Sequence, residues 1–305
     1  MSSPRNAAVM KVLVIGATGY VGSHVTRRLS LEGHDVWGTL RSQPGSAITA
    51  LGATAVRADL SDLGTLDNVL GTVDAVVYAA QLLLEPEHEA VATLIERLTG
   101  SRKTLIFTSG TGVLSQKTDG EWSEDNFAEE DAFVPSKWLL RRAETEVLVR
   151  EARDRGLRPI VIRPPMIWGN GGCGLIRAFF ESARQTGSVC YLGRGLNLYS
   201  SVHVEDLAKT YALALEHGVP GALYHAVSGE VAHRTVAEAV ARHLGCAARS
   251  IDFEEATSIW GKFMALIIMS TCSRSRSPRA RHELGWTPRH LDMLSDVPDP
   301  AYQAC

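Results

Sequence analysis

The chain has 305 residues, 45% of them hydrophobic and 21% charged, so it is long enough to bury a full core in one large domain or two closely joined ones. A net charge of −3 and a pI near 6.4 give no basic surface for nucleic acid or an anionic membrane, and a small-molecule partner is expected instead. No stretch approaches the ~20 apolar residues of a membrane span. Residues 1–9 lack the apolar core of a signal peptide and are predicted to be a disordered lead.

The cysteines are five in number, lie far apart and include no C-x-x-C pair. This pattern predicts neither a disulfide framework nor a metal site, and it favours a reducing, cytoplasmic setting. The cysteines are Cys173, Cys190, Cys246, Cys272 and Cys305.

Short apolar, β-branched runs alternate with helical patterns along the first half of the chain. The runs that predict strands are 9–15, 36–40, 53–57, 75–78, 104–108 and 159–163, and the helical patterns include 20–31, 62–70, 86–98 and 135–152. Strands that read apolar throughout and alternate with helices indicate a parallel sheet covered on both faces. The predicted fold class is therefore α/β, with a doubly wound parallel sheet.

A glycine-rich motif, Gly-Ala-Thr-Gly-Tyr-Val-Gly at residues 16–22, follows the first predicted strand and opens the first helix. Its glycines let the backbone turn tightly and approach a pyrophosphate, whose negative charge the helix N-terminus favours. The flanking strand and helix are the context that supports such a motif, so we predict a Rossmann-type dinucleotide-binding domain. Gly16, Gly19 and Gly22 are predicted to bind the pyrophosphate. The predicted cofactor-binding residues of the motif are Gly16, Thr18, Gly19, Tyr20, Val21 and Gly22.

The choice between NAD and NADP is made at the end of the second strand, where an acid binds the ribose 2′-hydroxyl and an arginine accepts a 2′-phosphate. That strand ends Gly-Thr-Leu-Arg at residues 38–41, without an acid. Arg41 offers a bidentate partner for phosphate, although it could instead be an ordinary exposed residue. NADP is the favoured cofactor and NAD the alternative.

The motif at residues 16–22 resembles that of the extended short-chain dehydrogenase/reductases, the group of sugar-nucleotide epimerases, dehydratases and dihydroflavonol-type reductases. Segments that match the same family follow in the right order at residues 76–80, 107–112, 163–169, 201–207 and 283–288. The resemblance implies that Asp59 and Leu60 contact the adenine and that Ala79 lies under the cofactor. It also implies a homodimer packed through the helices predicted at 86–98 and 135–152.

The family's catalytic motif is altered here. The resemblance implies a tyrosine and a lysine four residues apart on one helix face, where the lysine lowers the phenol pKa from ~10 and holds the nicotinamide ribose. This chain has Phe133 and Lys137 at those positions, and no tyrosine lies between Tyr78 and Tyr191. The hydroxyl expected in the segment 107–112 is also displaced, because Gly110 occupies its place.

Several roles remain open for the hydroxyls that flank Gly110. Ser109 or Thr111 could polarise a substrate carbonyl, and Thr111, Lys137 or a bound water could relay the proton that accompanies hydride transfer. Losing a general acid typically costs ~10²- to 10⁴-fold in rate. The sequence therefore predicts an NADP-dependent oxidoreductase or epimerase acting on a small molecule or nucleotide sugar, with a reaction of modest acid demand or a catalytically silent NAD(P)-binding sensor as alternatives.

The C-terminal half is less regular, although residues 254–269 have a helical pattern, and we expect this half to bind the substrate. We assign residues 10–165 to the dinucleotide-binding domain, with a return at about 199–227, and residues 166–198 and 228–305 to a smaller mixed α/β substrate-binding region. A basic segment at 273–281 is expected to be a solvated loop, with a nucleotide-sugar diphosphate site as the alternative. The candidate substrate-binding residues are Trp168, Asn170, His203 and Trp260, of which His203 is expected to pack beneath the site.

Overall fold

A computed structural model of the chain describes residues 8–303. Most of the lead predicted at residues 1–9, and Cys305, thus lie outside the described residues. Within 8–303 no helix combines the length and the apolar character needed to cross a membrane.

The strands and helices follow the predicted alternation. The strands are β1 (Lys11–Ile15), β2 (Asp35–Leu40), β3 (Thr54–Arg57), β4 (Ala75–Tyr78), β5 (Thr104–Thr108), β6 (Gln116–Lys117), β7 (Arg158–Arg163), β8 (Met166–Trp168), β9 (Ser188–Leu192), β10 (Leu198–His203), β11 (Leu223–His225), β12 (Gly229–Ala232), β13 (Ala247–Ile251) and β14 (Thr271–Cys272). The α-helices are α1 (Tyr20–Leu31), α2 (Ser46–Thr49), α3 (Asp67–Thr72), α4 (Leu84–Leu98), α5 (Leu140–Glu151), α6 (Gly174–Thr186), α7 (Val204–His217), α8 (His233–Leu244), α9 (Phe253–Met264) and α10 (Pro278–Glu283). Single 3₁₀ turns lie at Leu63–Leu66, Thr111–Leu114, Ala152–Arg155, Met293–Asp296 and Pro300–Tyr302, and a π-helical turn at Ala265–Met269.

Seven parallel strands form the main sheet in the order β11-β7-β5-β4-β1-β2-β3. The chain runs outward from β1 to β3 and then returns to the other side of β1 with β4. This reversal creates a crevice at the carboxyl ends of β1 and β4, where open α/β sheets bind their ligands. The predicted doubly wound α/β fold is confirmed.

Apolar side chains cover both faces of the main sheet. One cluster packs α1 and α7 on one face, and a second packs α3 and α4 on the other. A third cluster lies among α6, α8, α9 and the pair β9 and β13. The segment 199–227, predicted to return to the dinucleotide-binding domain, is divided between two sheets. Strand β10 joins β8 and β12 in a separate sheet, whereas β11 is an edge strand of the main sheet.

Two predicted helices differ from the structure in their bounds. Helix α5 begins at Leu140, not near residue 135, and residues 137–139 form a turn closed by a hydrogen bond from the Leu139 N–H to the Ser136 carbonyl (2.9 Å). Pro135 is compatible with a first helical turn, so the local sequence permits the earlier start and tertiary contacts set the later one. The helix predicted at 254–269 is kinked at Gly261, whose φ of 77° is not helical, and it ends in the π-helical turn.

Candidate functional site

The glycine motif forms a tight cradle at the carboxyl end of β1. Gly16 has φ +87°, and a Cβ added to it would lie 2.7 Å from the Ala80 backbone. A Cβ added to Gly22 would lie 2.1 Å from the Gly16 carbonyl oxygen, and Gly19 precedes the first turn of α1 as its N-cap. Any side chain would fill this space, so the cradle fits the close approach of a pyrophosphate.

A cleft of about 810 Å³ extends from this cradle across the carboxyl ends of β1 to β4. It brings together residues that the sequence predicted for the adenosine end of a dinucleotide. Its lining includes Gly16, Thr18, Thr39, Arg41, Asp59, Leu60 and Ala80. Val21 and Gly22 lie in α1 behind the cradle, and Ala79 lies at the end of β4, where its N–H donates to the Ile15 carbonyl (2.9 Å).

Two charged side chains mark the far end of the cleft. Arg41 is exposed just after β2, and Asp59 is exposed after β3. The pKa of Asp59 lies below its usual range, chiefly because the Ser61 N–H donates to its carboxylate (3.0 Å), and Arg41 adds to this effect. Asp59 is therefore an ionised acceptor beside a guanidinium.

Sequence reasoning missed a second arginine at this end. The Arg57 guanidinium donates to the Arg41 carbonyl oxygen (3.4 Å), because β2 and β3 pair with Leu40 opposite Arg57. Thr39 was also missed, although its Oγ1 accepts the Gly16 N–H (3.0 Å) and so ties β2 to the cradle. The parallel pairing of β2 with its neighbours places both residues, and the pattern of a single strand does not reveal it.

Tyr20 is not among the residues that line the cleft. Its O–H donates to the Gly169 carbonyl oxygen (2.6 Å), and its ring lies edge-on to His24. Burial is the largest of the causes that raise its pKa above the ordinary value, so the phenol keeps its proton. The structure thus gives the Tyr20 side chain a contact to the segment after β8.

The predicted catalytic hydroxyl of Ser109 belongs to a buried ionic network. It donates to the Glu146 carboxylate, which also accepts the Arg163 Nε–H (2.8 Å). All three residues are buried, and His225 lies 3.4 Å from the Arg163 guanidinium. Sequence reasoning missed Glu146 because its partners lie on other elements.

Thr111, the other predicted hydroxyl, is fully buried, and its Oγ1 has no hydrogen-bond partner among residues 8–303. Its backbone joins two other segments, since its N–H donates to the Pro164 carbonyl (2.9 Å) and its carbonyl accepts the Ser273 O–H (3.0 Å). Thr111 therefore anchors the end of β5 against the chain after β7.

Phe133 and Lys137 do not share a helix face, contrary to the expectation for that pair, because α5 starts only after them. The Phe133 ring is half-buried, with the Arg163 guanidinium 4.9 Å from its centroid and Phe127 edge-on at 6.5 Å. Lys137 is exposed, with its Nζ 4.9 Å from the Trp138 ring centroid. The turn that carries Lys137 stays near the end of β5, since a Cβ added to Gly112 would lie 3.5 Å from the Leu139 side chain.

Two of the substrate candidates, Trp168 and His203, lie together. Their rings meet edge-on at 4.6 Å, and both residues are buried. The His203 Nδ1 accepts the Glu205 N–H (3.2 Å) as the cap of α7, and its pKa is lowered by burial and by the neighbouring His290. His203 is therefore a packed residue that caps α7, and its place beneath a substrate site stays a prediction.

The other two candidates, Asn170 and Trp260, are separated. Asn170 is exposed in a left-handed conformation with φ 54°. Trp260 lies on α9, where its indole N–H donates to the Ala178 carbonyl (2.8 Å) and its ring packs edge-on against Phe179. The contacts of Trp260 hold α9 against α6.

The basic segment at 273–281 is held by ion pairs. Arg274 makes two hydrogen bonds to Glu230 (2.9 and 3.0 Å), and Arg276 pairs with Asp131 (2.9 Å). Arg279 pairs with Glu130 and Glu283. These carboxylates occupy the guanidinium groups that a diphosphate would need.

Comparisons with known proteins agree with this geometry. The chain matches the NAD dependent epimerase/dehydratase family over residues 12–227. It is 30% identical to an uncharacterized protein of Schizosaccharomyces pombe over 304 residues, which cover 96% of this chain and 100% of the relative. It is 28% identical to the 2-alkyl-3-oxoalkanoate reductase of Stenotrophomonas maltophilia over 226 residues, 70% of this chain and 67% of the relative.

Among solved structures, the dTDP-glucose 4,6-dehydratase of Bacillus anthracis in complex with NAD superimposes with a TM-score of 0.76. The likeness covers 97% of both chains at 18% sequence identity and therefore concerns the fold. The family match spans most of the main sheet and the whole glycine cradle. The chain belongs to the NAD-dependent epimerase/dehydratase family, within the extended short-chain dehydrogenases/reductases.

Proposed function

We propose that this chain binds NADP(H) and transfers hydride between that cofactor and a carbonyl or hydroxyl carbon of a small molecule. The observation that carries the proposal is the cleft in which the glycine cradle, Arg41 and Asp59 converge at the switch point of the sheet. Membership of a family of reductases, epimerases and dehydratases supports an enzymatic role. The reductase relative favours carbonyl reduction as the direction.

The chain's own residues would divide the work of holding the cofactor. The backbone amides of residues 16–22 would face the pyrophosphate, and Arg41 the 2′-phosphate, with Arg57 fixing the Arg41 backbone. Asp59 would accept from the adenine end, and Lys137 would reach the nicotinamide ribose from its exposed turn. The bound cofactor supplies the hydride chemistry.

Proton transfer is the step for which this site lacks the usual hydroxyl donor. Phe133 has no hydroxyl, the Ser109 proton is directed at Glu146, and Thr111 is buried. Lys137 is exposed and lies in a turn beside the end of β5, so we propose that it, with a bound water, supplies the proton. Such a site suits a substrate whose reduction asks little of a general acid.

The proposal also includes the domain boundaries, the cellular compartment and the oligomeric state. We propose that residues 10–165 bind the dinucleotide and that 166–198 and 228–305 shape the substrate site, in a protein of a reducing, cytoplasmic compartment. A homodimer would pack through α4 and α5; Leu140 and Val147, both on α5, are exposed.

A catalytically silent NADP(H) sensor is the second candidate. It is favoured by the loss of both hydroxyls, at Phe133 and Gly110, and by the contact between the Phe133 ring and Arg163, which makes residue 133 part of the packing. Such a protein would keep the adenosine cleft without turnover.

Turnover measurements separate the two. The wild type, Phe133→Tyr, Lys137→Met and the exposed control Lys262→Met are assayed for NADPH oxidation with 3-oxoalkanoates, other ketones and sugar nucleotides. We expect wild-type turnover of a ketone, an unchanged rate in Phe133→Tyr and Lys262→Met, and a ~10²-fold or greater loss in Lys137→Met. NADPH binding without turnover, together with activity gained by Phe133→Tyr, would establish the silent sensor.

A further inference from the structure

The loop that follows β8 has an unusual backbone. Gly169, Asn170 and Gly171 all have positive φ, at 106°, 54° and 68°. Backbone N–H groups in a turn can face the same side and form a concavity that binds anions. Here the concavity holds a carboxylate from the far end of the chain, because the Gly169 and Gly171 N–H groups donate to the two Asp296 oxygens (3.0 and 3.4 Å).

A second bond fastens the same loop through Tyr302. The Tyr302 O–H donates to Asp296, and the Cys173 N–H donates to the Tyr302 oxygen (2.9 Å). Asp296 and Tyr302 are both buried. Three backbone N–H groups of residues 169–173 are thus satisfied, directly or through one phenol, by the Asp296 carboxylate.

The opposite side of the loop rests on the dinucleotide cradle. The Gly169 carbonyl accepts the Tyr20 O–H (2.6 Å), and a Cβ added to Gly172 would lie 2.1 Å from the Tyr20 ring. Tyr20 directly follows Gly19 and begins α1. The loop therefore lies between Asp296 and the helix turn whose amides would face the pyrophosphate.

We propose that Asp296 is a positioning residue for the pyrophosphate part of the cofactor site. It orders residues 169–173 against Tyr20, and this loop in turn holds the first turn of α1. The adenosine end, at Arg41 and Asp59, lies outside this arrangement. The role rests on the proposed binding of NADP(H).

The test compares two ligands and a matched control. NADPH spans the whole dinucleotide site, whereas 2′-AMP, which has no 5′-phosphate, fills only the adenosine end. The variants are Asp296→Ala, Asp296→Asn and Asp292→Ala; Asp292 caps the 3₁₀ turn that contains Asp296 by accepting the Leu294 N–H (3.0 Å), and it is exposed. Tyr20→Phe removes the bond on the other side of the loop and serves if Asp296→Ala fails to fold.

We expect Asp296→Ala to raise the NADPH dissociation constant about tenfold or more, a change of about 1.4 kcal/mol, while that of 2′-AMP changes by less than about twofold. Asp296→Asn should recover part of the NADPH affinity because its amide oxygen still accepts one N–H. Asp292→Ala should bind both ligands as the wild type does. Equal weakening of both ligands, or none, in Asp296→Ala would overturn the positioning role.

Amide exchange gives a readout that does not depend on the cofactor. Exchange at residues 169–173 should be faster in cofactor-free Asp296→Ala than in the wild type, and unchanged in the strands of the main sheet. If the wild type binds neither ligand, the proposed function is refuted, and the positioning role that rests on it is refuted as well. If the wild type binds NADPH, faster exchange in this loop of Asp296→Ala supports the positioning role, and unchanged exchange overturns it.

Discussion

Replacing Gly22 with alanine tests the cradle through a contact of known geometry. The new Cβ would lie 2.1 Å from the Gly16 carbonyl oxygen, which would have to recede by roughly 1 Å to reach a tolerable contact. Gly71 is a matched control, since it also lies within a helix, α3, and a Cβ there would meet nothing within 4 Å.

Each replacement removes a helical glycine, which by itself favours the folded state by about 0.5–1 kcal/mol. Gly71→Ala should therefore raise the free energy of unfolding by about that amount. In Gly22→Ala, overpacking of ~1–3 kcal/mol outweighs the gain, and displacement of the Gly16 carbonyl distorts the pyrophosphate cradle. We expect Gly22→Ala to be less stable than Gly71→Ala and to bind NADPH about tenfold or more weakly.

Urea unfolding followed by tryptophan fluorescence gives the two stabilities, and a fluorescence titration with NADPH gives the affinities. If Gly22→Ala were as stable as Gly71→Ala and bound NADPH as the wild type does, the cradle would not have the tight geometry described above.

Three further predictions concern charge. Arg41→Ala should lower the affinity for NADPH about tenfold or more, as measured by calorimetry, because one charge-assisted contact is lost, and it should leave the affinity for NADH unchanged. The control Arg27→Ala, at an exposed residue, should change neither affinity. Equal effects on both cofactors would show that Arg41 does not bind the 2′-phosphate. Glu146→Gln should lower the free energy of unfolding by ~3–5 kcal/mol, because it leaves the buried Arg163 guanidinium unpaired. The control Glu151→Gln, at an exposed residue, should leave the free energy of unfolding unchanged. An unchanged value in Glu146→Gln would contradict the buried ionic network. Burial lowers the pKa of His233 to about 3, whereas the unfolded value is ~6.5, so between these two pH values only the unfolded state gains the proton and the free energy of unfolding falls as the pH drops. The urea midpoint should therefore fall less steeply with decreasing pH in His233→Leu than in the wild type. An equal slope in the two proteins would argue against a buried neutral imidazole.

The sequence predicted those parts of the site that are formed by residues adjacent in the chain. The glycine cradle and the turn at Arg41 follow from residues next to each other, because the end of a strand and the start of a helix have local signatures. The main sheet followed from the alternation of apolar strands and helices, and the order of its strands confirmed the fold.

Contacts between distant residues were not predictable in this way. Glu146 meets Ser109 across 37 positions, and Asp296 meets Gly169 across 127, and neither acid stands in a motif. The predicted start of α5 was wrong for a different reason. Pro135 is compatible with a first helical turn, but the chain makes a separate turn at 137–139 before the helix begins. Periodicity identifies the helix and leaves its first residues to tertiary contacts.

The central claim is that the cleft beside Gly16 and Arg41 binds NADP(H). Titration of the purified wild type with NADPH and with NADH, under identical salt and pH, tests it most directly. We expect saturable binding of both, with NADPH the tighter ligand. Failure to bind either cofactor would contradict the proposed function as a whole, and a preference for NADH would contradict the role given to Arg41.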